Sequence, residues 1–424
     1  MKPDSLYLGL DFGTSGARAM VIDAHGQVIS QAHCNYDIAD WQSWLLALHW
    51  LCASLPAPLR RRIAAIAIDG TSSSVLLCNE SNVPIAPPLL YNDASAAEQV
   101  PKIAMHAPAG HNAVSATSSL AKLLYLRQRH SSLAAGYFCD QASWLAAMLT
   151  GKAGVSDYHN ALKLGYDVET LAWPAWIAAL GVDAWVPHVV APGTNLGKLA
   201  PEVAVKLDLP ATCSVRAGTT DSIAAFIASG ARTPGTAVTS LGSTLVVKLL
   251  STQRVEDARY GVYSHRFGDL WLAGGASNSG GAALRQFFDD ATLATLSQQI
   301  DPAQASGLDY YPLPSRGERF PINDPQMAPR ITPRPASDVA FLQGLLEGIA
   351  RIEARAYALL AERGATPLTQ VLSAGGGAKN TAWTAIRQRL LGVPVRAAEH
   401  DAAAYGAAWL AKTGPDLLDL QHDT

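Results

Sequence analysis

Three aspartates in this chain stand where an apolar run meets a turn of small residues. Asp11 lies in LGLDFGTSGARAMVID, residues 8–23; Asp221 lies in AGTTDSIAAF, residues 217–226; and the run Ile63 to Asp69 leads into Gly70-Thr71-Ser72. A carboxylate is disfavoured inside a strand, and at a buried strand end it needs a partner or water. Gly13, Thr14, Ser15 and Gly16 follow Asp11 with bare backbone N–H groups and two hydroxyls. Such a turn can approach phosphate oxygens closely. The plain alternative is a β-hairpin with a polar turn. Gly242-Ser243-Thr244 repeats the theme between two apolar runs in the second half.

Phosphoryl transfer needs donors for the phosphates, an acid that holds Mg²⁺ and a base for the acceptor hydroxyl. Asp11 is the candidate for the metal, through water, because Mg²⁺ keeps much of its hydration shell. Asp221 is the candidate base; the competing reading is that it caps the helix that follows. Gly375-Gly376-Gly377, ahead of Lys379-Asn380, offers backbone that can lie flat against a nucleotide, or else forms a flexible connection. Gly275 to Gly281, GASNSGG, lines the nucleotide side or simply starts a helix over Ala282–Phe288.

Other chemistries lack their residues. There is no G-x-x-x-x-G-K-[ST], no G-x-S-x-G and no H-E-x-x-H among the eleven histidines. The net charge of −3 argues against a nucleic-acid footprint. Five scattered cysteines without a C-x-x-C pair fit neither a disulfide framework nor a zinc site and point to a reducing compartment. No signal-peptide core precedes Asp11, and no apolar run is long enough to span a bilayer. The expectation is a cytoplasmic protein with no nucleic-acid or membrane partner.

Periodicity supplies the elements that must hold these residues. Leu6–Leu10, Ala19–Ile22 and Gln27–Tyr36 read as strands, Asp40–Leu55 as a helix with Trp41, Trp44 and Trp50 in the core, then Ile63–Asp69 and Val75–Cys78 as strands. Helical patterns over Ser118–Arg129 and Gln141–Leu149 follow. Pro192–Pro210 reads as a looser stretch joining two halves, and Ser315–Pro335 as an ordered surface loop or linker. The second half starts again with strand, small turn and strand over Thr236–Leu250, then a long helix Ser337–Arg363, the strand Leu368–Ser373, and helices Thr381–Leu391 and Ala402–Lys412. An α/β fold of two similar halves with a catalytic cleft between them is the architecture this pattern implies.

Taken together, the motifs resemble those of the FGGY family of carbohydrate kinases. The first phosphate motif is matched by Asp11 to Arg18. The sugar-side segments are matched by Asp69-Gly70-Thr71-Ser72 and Leu90-Tyr91-Asn92-Asp93, and the base motif by Gly218-Thr219-Thr220-Asp221. A family loop is matched by Gly317-Glu318-Arg319-Phe320-Pro321-Ile322-Asn323-Asp324-Pro325, and the adenosine motif by Gly375 to Asn380 with Trp383 following. The arginine the family usually carries after its Asn-Asp pair is absent from Ala94-Ser95-Ala96. That absence, the length of 424 residues and Ser240-Leu241-Gly242-Ser243-Thr244 resemble a compact subgroup found in cyanobacteria and plastids.

The resemblance implies two actin-like, ribonuclease-H-like domains, divided here as residues 1–213 and 214–424. It implies ATP and Mg²⁺, a small-molecule sugar substrate, and a monomer or homodimer. Asp221 is then the base and Asp11 the metal residue, also touching the sugar. Gly13, Thr14, Ser15, Gly242, Ser243 and Thr244 serve the phosphates; Gly376, Gly377 and Asn380 the adenosine; Ser72 and Asp93 the sugar. The expected reaction is phosphorylation of the terminal hydroxyl of D-ribulose, with D-xylulose as the alternative. A non-catalytic nucleotide switch ranks behind, since it needs no sugar-side base, and a chaperone-type ATPase ranks last, since no peptide-binding domain is expected.

Overall fold

The computed structural model describes residues 4–418. Two compact units emerge: one runs to Ala228 and takes in the chain from Ala402 on, the other is Ser229–Asp401.

The first unit is built on a six-stranded sheet. Its strands are β1 (Leu6–Gly13), β2 (Gly16–Ile22), β3 (Val28–Cys34), β4 (Ile63–Gly70), β5 (Asn195–Lys198) and β6 (Ser214–Thr220), in the order β3-β2-β1-β4-β6-β5. β1 pairs antiparallel with β2 and parallel with β4, and β4 pairs parallel with β6. Parallel strands covered on both faces read as near-continuous apolar runs; seven of the eight β1 residues are buried. Leu8 and Leu10 share a core with Ile66, Ile68 and, from α1 (Trp41–Ser54), Trp44 and Leu48. Asp40 caps α1, its carboxylate accepting from Gln42 N at 2.9 Å. Of the three tryptophans expected in the core, Trp44 is buried, Trp41 is half-buried and Trp50 faces outward.

Three further helices matter for the site: α2 (Ser119–Arg129), α3 (Gln141–Thr150) and α4 (Asp221–Ala228). The second unit adds α5 (Asp290–Ser297), α6 (Asp338–Glu362) and α7 (Thr381–Leu391); the last helix, α8 (Ala403–Thr413), returns to the first unit. α8 lies against β1 and α4 so closely that a Cβ on Gly406 would stand 1.9 Å from the Ala224 carbonyl oxygen. Only glycine permits that approach.

The second unit repeats the plan. Its strands are β7 (Thr236–Leu241), β8 (Leu245–Ser251), β9 (Tyr263–Phe267), β10 (Leu270–Ser277), β11 (Gln370–Ala374) and β12 (Val395–Ala397), in the order β9-β10-β8-β7-β11-β12. As in the first sheet, the opening hairpin is antiparallel and the next strands join in parallel. Phe341, Leu342, Leu345, Leu346 and Ile349 form one stripe of α6 and pack on Trp383 and Ile386 of α7.

Four expectations are corrected. The division at 213/214 separates β6 from β4, with which it pairs; the first unit continues through Ala228 and also holds α8. Pro192–Pro210 is no connector between halves: β5 pairs antiparallel with β6, and Pro201–Leu207 is a short helix of the same unit. β1 does not stop before Asp11 but continues to Gly13, because register with β4 outweighs the poor strand propensity of Asp. β10 absorbs Gly275-Ala276-Ser277, and the helix after it is only Gly281–Leu284. Residues 315–335 form an ordered loop of the second unit, with Glu318 and Phe320 buried.

Candidate active site

In the first unit, sheet register gathers the carboxylates. Asp11 and Asp69 are partners across the parallel β1–β4 pair, Thr219 is the β6 partner of Asp69, and Asp221 opens α4 directly after β6. Asp11 and Asp69 are both buried, Asp69 completely. The one ion pair of Asp11 is long, Arg18 Nη1 to Oδ2 at 3.5 Å, from a side chain that is half exposed. Oδ1 of Asp11 and both oxygens of Asp69 lie buried without a hydrogen-bond donor when both groups are ionised. Burial pushes the Asp11 carboxyl up to about 6; a hydrogen bond from Asp69 opposes the rise, the Asp221 charge adds to it, and Arg18 opposes it. Burial, then the charges of Asp11 and Asp221, raise Asp69 well above the usual carboxylate range.

A string of hydrogen bonds ties the strand ends together. Tyr36 Oη donates to the Gly13 carbonyl at 2.8 Å, and Gln141 Nε2 donates to Tyr36 Oη at 3.3 Å. Gln141 Oε1 accepts from Thr71 N at 3.1 Å, and Thr71 Oγ1 donates to Ser74 Oγ at 2.6 Å. The Thr14-Ser15 turn is thereby linked to the loop that carries Ser72. Thr14 and Ser15 are exposed, and Ser72 is half-buried. Lys122 of α2 is fully buried and donates to the carbonyls of Ser73 at 2.8 Å and Leu90 at 2.6 Å, clamping both sugar-side segments. Burial pushes its ammonium down to about 8, with the Asp93 charge opposing. Asp93 Oδ1 accepts from Ser95 N at 2.8 Å and Ser95 Oγ at 2.6 Å. The helix reading of Asp221 also holds locally, since its Oδ1 accepts from Ser222 N at 2.6 Å. A helix start favours the negative charge, so capping and base chemistry are compatible.

In the second unit, a cavity of about 690 Å³ is lined by Gly242, Ser243, Arg285, Gly376, Gly377 and Asn380, among others. That is ample for a nucleoside. Gly375 turns the chain at φ +80° as it leaves β11, and its N–H donates to Asp401 Oδ2 at 3.0 Å. A side chain at Gly377 would meet Trp383 and Leu241, whereas nothing lies within 4 Å of the place of a Cβ at Gly376. Asn380 caps α7, accepting from Trp383 N at 2.9 Å, while its Nδ2 donates to Ser297 Oγ at 2.8 Å. The Gly242 and Ser243 carbonyls accept from Gly281 N at 2.9 Å and Ala282 N at 3.1 Å, so the short helix fixes that turn.

Family comparison decides what these arrangements belong to. Residues 6–228 match the N-terminal domain of the FGGY family of carbohydrate kinases, and residues 237–413 match its C-terminal domain. The chain belongs to the FGGY family of carbohydrate kinases.

Two relatives are named xylulose kinases. The Staphylococcus xylosus protein is 23% identical over 441 residues, covering 96% of this chain and 90% of its own length. The Streptomyces coelicolor protein is 26% identical over 468 residues, covering 99% and 93%. A solved structure described as a xyloylose kinase from Brucella ovis superposes with a TM-score of 0.84 at 25% identity, over 97% of this chain and 90% of that one. The protein is an ATP-dependent carbohydrate kinase of the two-domain α/β fold.

Within this FGGY kinase, structure brings Asp11, Asp221, Gly13, Thr14, Ser15, Ser72 and Asp93 into the first unit, and Gly242, Ser243, Thr244, Gly376, Gly377 and Asn380 into the second. The residues present suit a hard divalent cation, because Asp11 and Asp69 offer buried oxygens without donors. No group of three or more His, Cys, Asp or Glu side chains among the described residues forms a metal site, and a Mg²⁺ held by one or two carboxylates would keep water and phosphate as its other ligands. Sequence reasoning assigned no role to Tyr36, Gln141, Lys122 or Lys163. Burial holds the Lys163 ammonium below its ordinary range, with the Asp221 charge opposing.

Proposed function

We propose that this chain is a ketopentose kinase that transfers the γ-phosphoryl group of ATP to a terminal sugar hydroxyl. The observation that carries the reading is the placing of Asp221 directly after β6, within electrostatic reach of Asp11 and Asp69. Asp221 takes the hydroxyl proton as the oxygen attacks the γ-phosphorus. Asp11 holds Mg²⁺, which when bound neutralises phosphate charge. Thr14 and Ser15, with the backbone of Gly13, donate to the phosphates, as do Gly242, Ser243 and Thr244. Gly376, Gly377 and Asn380 hold the adenosine, and Ser72 and Asp93 contact the sugar, with Lys122 fixing their loops. Among the described residues no helix is long and apolar enough to cross a membrane. All five cysteines are free thiols, which supports a cytoplasmic setting.

The names of the relatives put D-xylulose ahead of D-ribulose, the sugar first expected. The second reading keeps one specific observation: Asp93 is bonded to Ser95 where the family usually supplies an arginine. The two sugars differ at one carbon. A mispaired hydroxyl at a site built to bond it costs about 1–3 kcal/mol, so a clear preference without exclusion is expected. Side-by-side kcat/KM for both sugars and glycerol, read by ADP release, decides it. ADP release unchanged by any sugar would defeat the kinase reading itself.

A further inference from the structure

Asp69 is a buried carboxyl whose one partner in the chain is another carboxyl, that of Asp11. Its side chain is completely buried at the end of β4, beside Asp11, and neither oxygen has a hydrogen-bond donor when both carboxyls are ionised. The polar side chains around it are committed elsewhere. Thr71 Oγ1 donates to Ser74 and Thr71 N to Gln141, Gln141 donates to Tyr36, and Tyr36 donates to Gly13. Arg18 reaches only Asp11, at 3.5 Å. One shared proton can neutralise one member of the Asp11–Asp69 pair and leaves the other charged. A buried charge without a partner is among the costliest features a fold can carry. Asparagine or serine would fit the same strand end with no charge to desolvate.

An ionised carboxylate is acceptor-only, so what completes this corner must bring positive charge or donors. Three unclaimed oxygens on two adjacent carboxylates match the one or two carboxylates that Mg²⁺ takes from a protein while keeping water and phosphate as its other ligands. We propose that Asp69 is the second carboxylate of the divalent-cation site, acting beside Asp11 on the cation or its bound water. The inference rests on the kinase reading, and it adds a residue to it.

The test is Asp69→Asn in the full chain, with Mn²⁺ as the probe. Free Mn²⁺ measured by electron paramagnetic resonance, with and without ADP, should show binding weakened at least about tenfold, the lower end of what losing a supporting contact costs a metal site. The Mg²⁺ concentration for half-maximal turnover should rise in the same direction. The Tm of the metal-free variant should lie above wild type, because asparagine leaves no second acid to desolvate beside Asp11, while the rise in Tm on adding Mg²⁺ should shrink. A purely structural Asp69 predicts the reverse pair: lower metal-free Tm and unchanged Mn²⁺ affinity. Unchanged Mn²⁺ affinity overturns the proposal, including when the sugar KM has risen, and leaves the kinase reading standing. A wild-type enzyme that turns over sugar without any divalent cation overturns both the cation reading and this inference. Asp69→Ser supplies the same comparison if the asparagine variant does not fold.

Discussion

The two units treat the same strand pair in opposite ways. In the first, β1 and β4 bring Asp11 opposite Asp69; in the second, β7 and β11 bring Thr239 opposite Ser373. Thr239 Oγ1 donates to Glu353 Oε1 at 2.5 Å, and Ser373 Oγ accepts from Arg387 Nη1 at 2.6 Å. Glu353 and Arg387 then close on each other through two bonds of 2.6 and 2.7 Å, both side chains fully buried. Every charge at that level of the second unit has its partner. In the first unit, buried carboxylate oxygens at the ends of β1 and β4 have none when both groups are ionised. One topology thus carries a satisfied network in the second unit. In the first unit it carries two buried carboxyls with no other side chain closed over them but the long Arg18 contact. Unrelieved charge of this kind is retained at functional sites and offset by packing elsewhere.

The comparison breaks first at Asp221. Asp221→Asn should leave folding and nucleotide binding intact and lower kcat by roughly 10²–10⁴, the usual size of a general-base contribution. Near wild-type turnover would remove Asp221 from the chemistry and return it to the role of a helix cap. The second unit should answer in stability instead. Glu353→Gln strands the buried Arg387 guanidinium, and breaking a buried pair this way costs about 3–5 kcal/mol. Denaturant melts read the loss, while turnover per folded molecule should hold. A loss under about 1 kcal/mol, the range of exposed pairs, would show that the pair is not the anchor described here.

The smallest effect lies in pH. Folded Asp11 keeps its proton to about pH 6, whereas an unfolded aspartate releases it near 4. Between these values the folded chain binds more protons than the unfolded one, so raising the pH lowers stability, and above about 6 the loss is complete. The whole change is on the order of 3 kcal/mol. Asp11→Asn removes it. Relative to wild type, the metal-free variant should therefore gain stability from about pH 4 to pH 6 and then level off. A gain running the other way would mean that Asp11 is paired in the folded chain and that the contrast between the units is smaller than the geometry indicates.

Much of this was legible before any fold was known. The motifs around Asp11 and Asp221 stand out because each sets a carboxylate beside small residues at a strand end, and the one at Gly375 by its run of three glycines. The hairpins and the long helix α6 follow from period alone. The expectation of two similar α/β halves rested on the same local signals. Trp50 and the missed β9–β10 hairpin show the limit: a helix has an outward face, and a strand pair interrupted by charges has no clean alternation.

What the sequence by itself determined, then, is the kind of residue at each turn: where bare backbone could meet phosphate, and which carboxylates were available. Tertiary structure alone decided which of them meet. Asp11 and Asp69 lie far apart in the chain, and only the parallel register of β1 and β4 makes them neighbours. Gln141 and Tyr36 join the site through a hydrogen bond between residues 105 apart in the chain. The same pairing of distant segments made Cys78 and Cys139 occupants of adjacent strands despite their spacing. The physical reason is that propensity and turn chemistry act over a few residues. Burial and unpaired charge are properties of a packed neighbourhood, and they exist only once the sheet has closed over it.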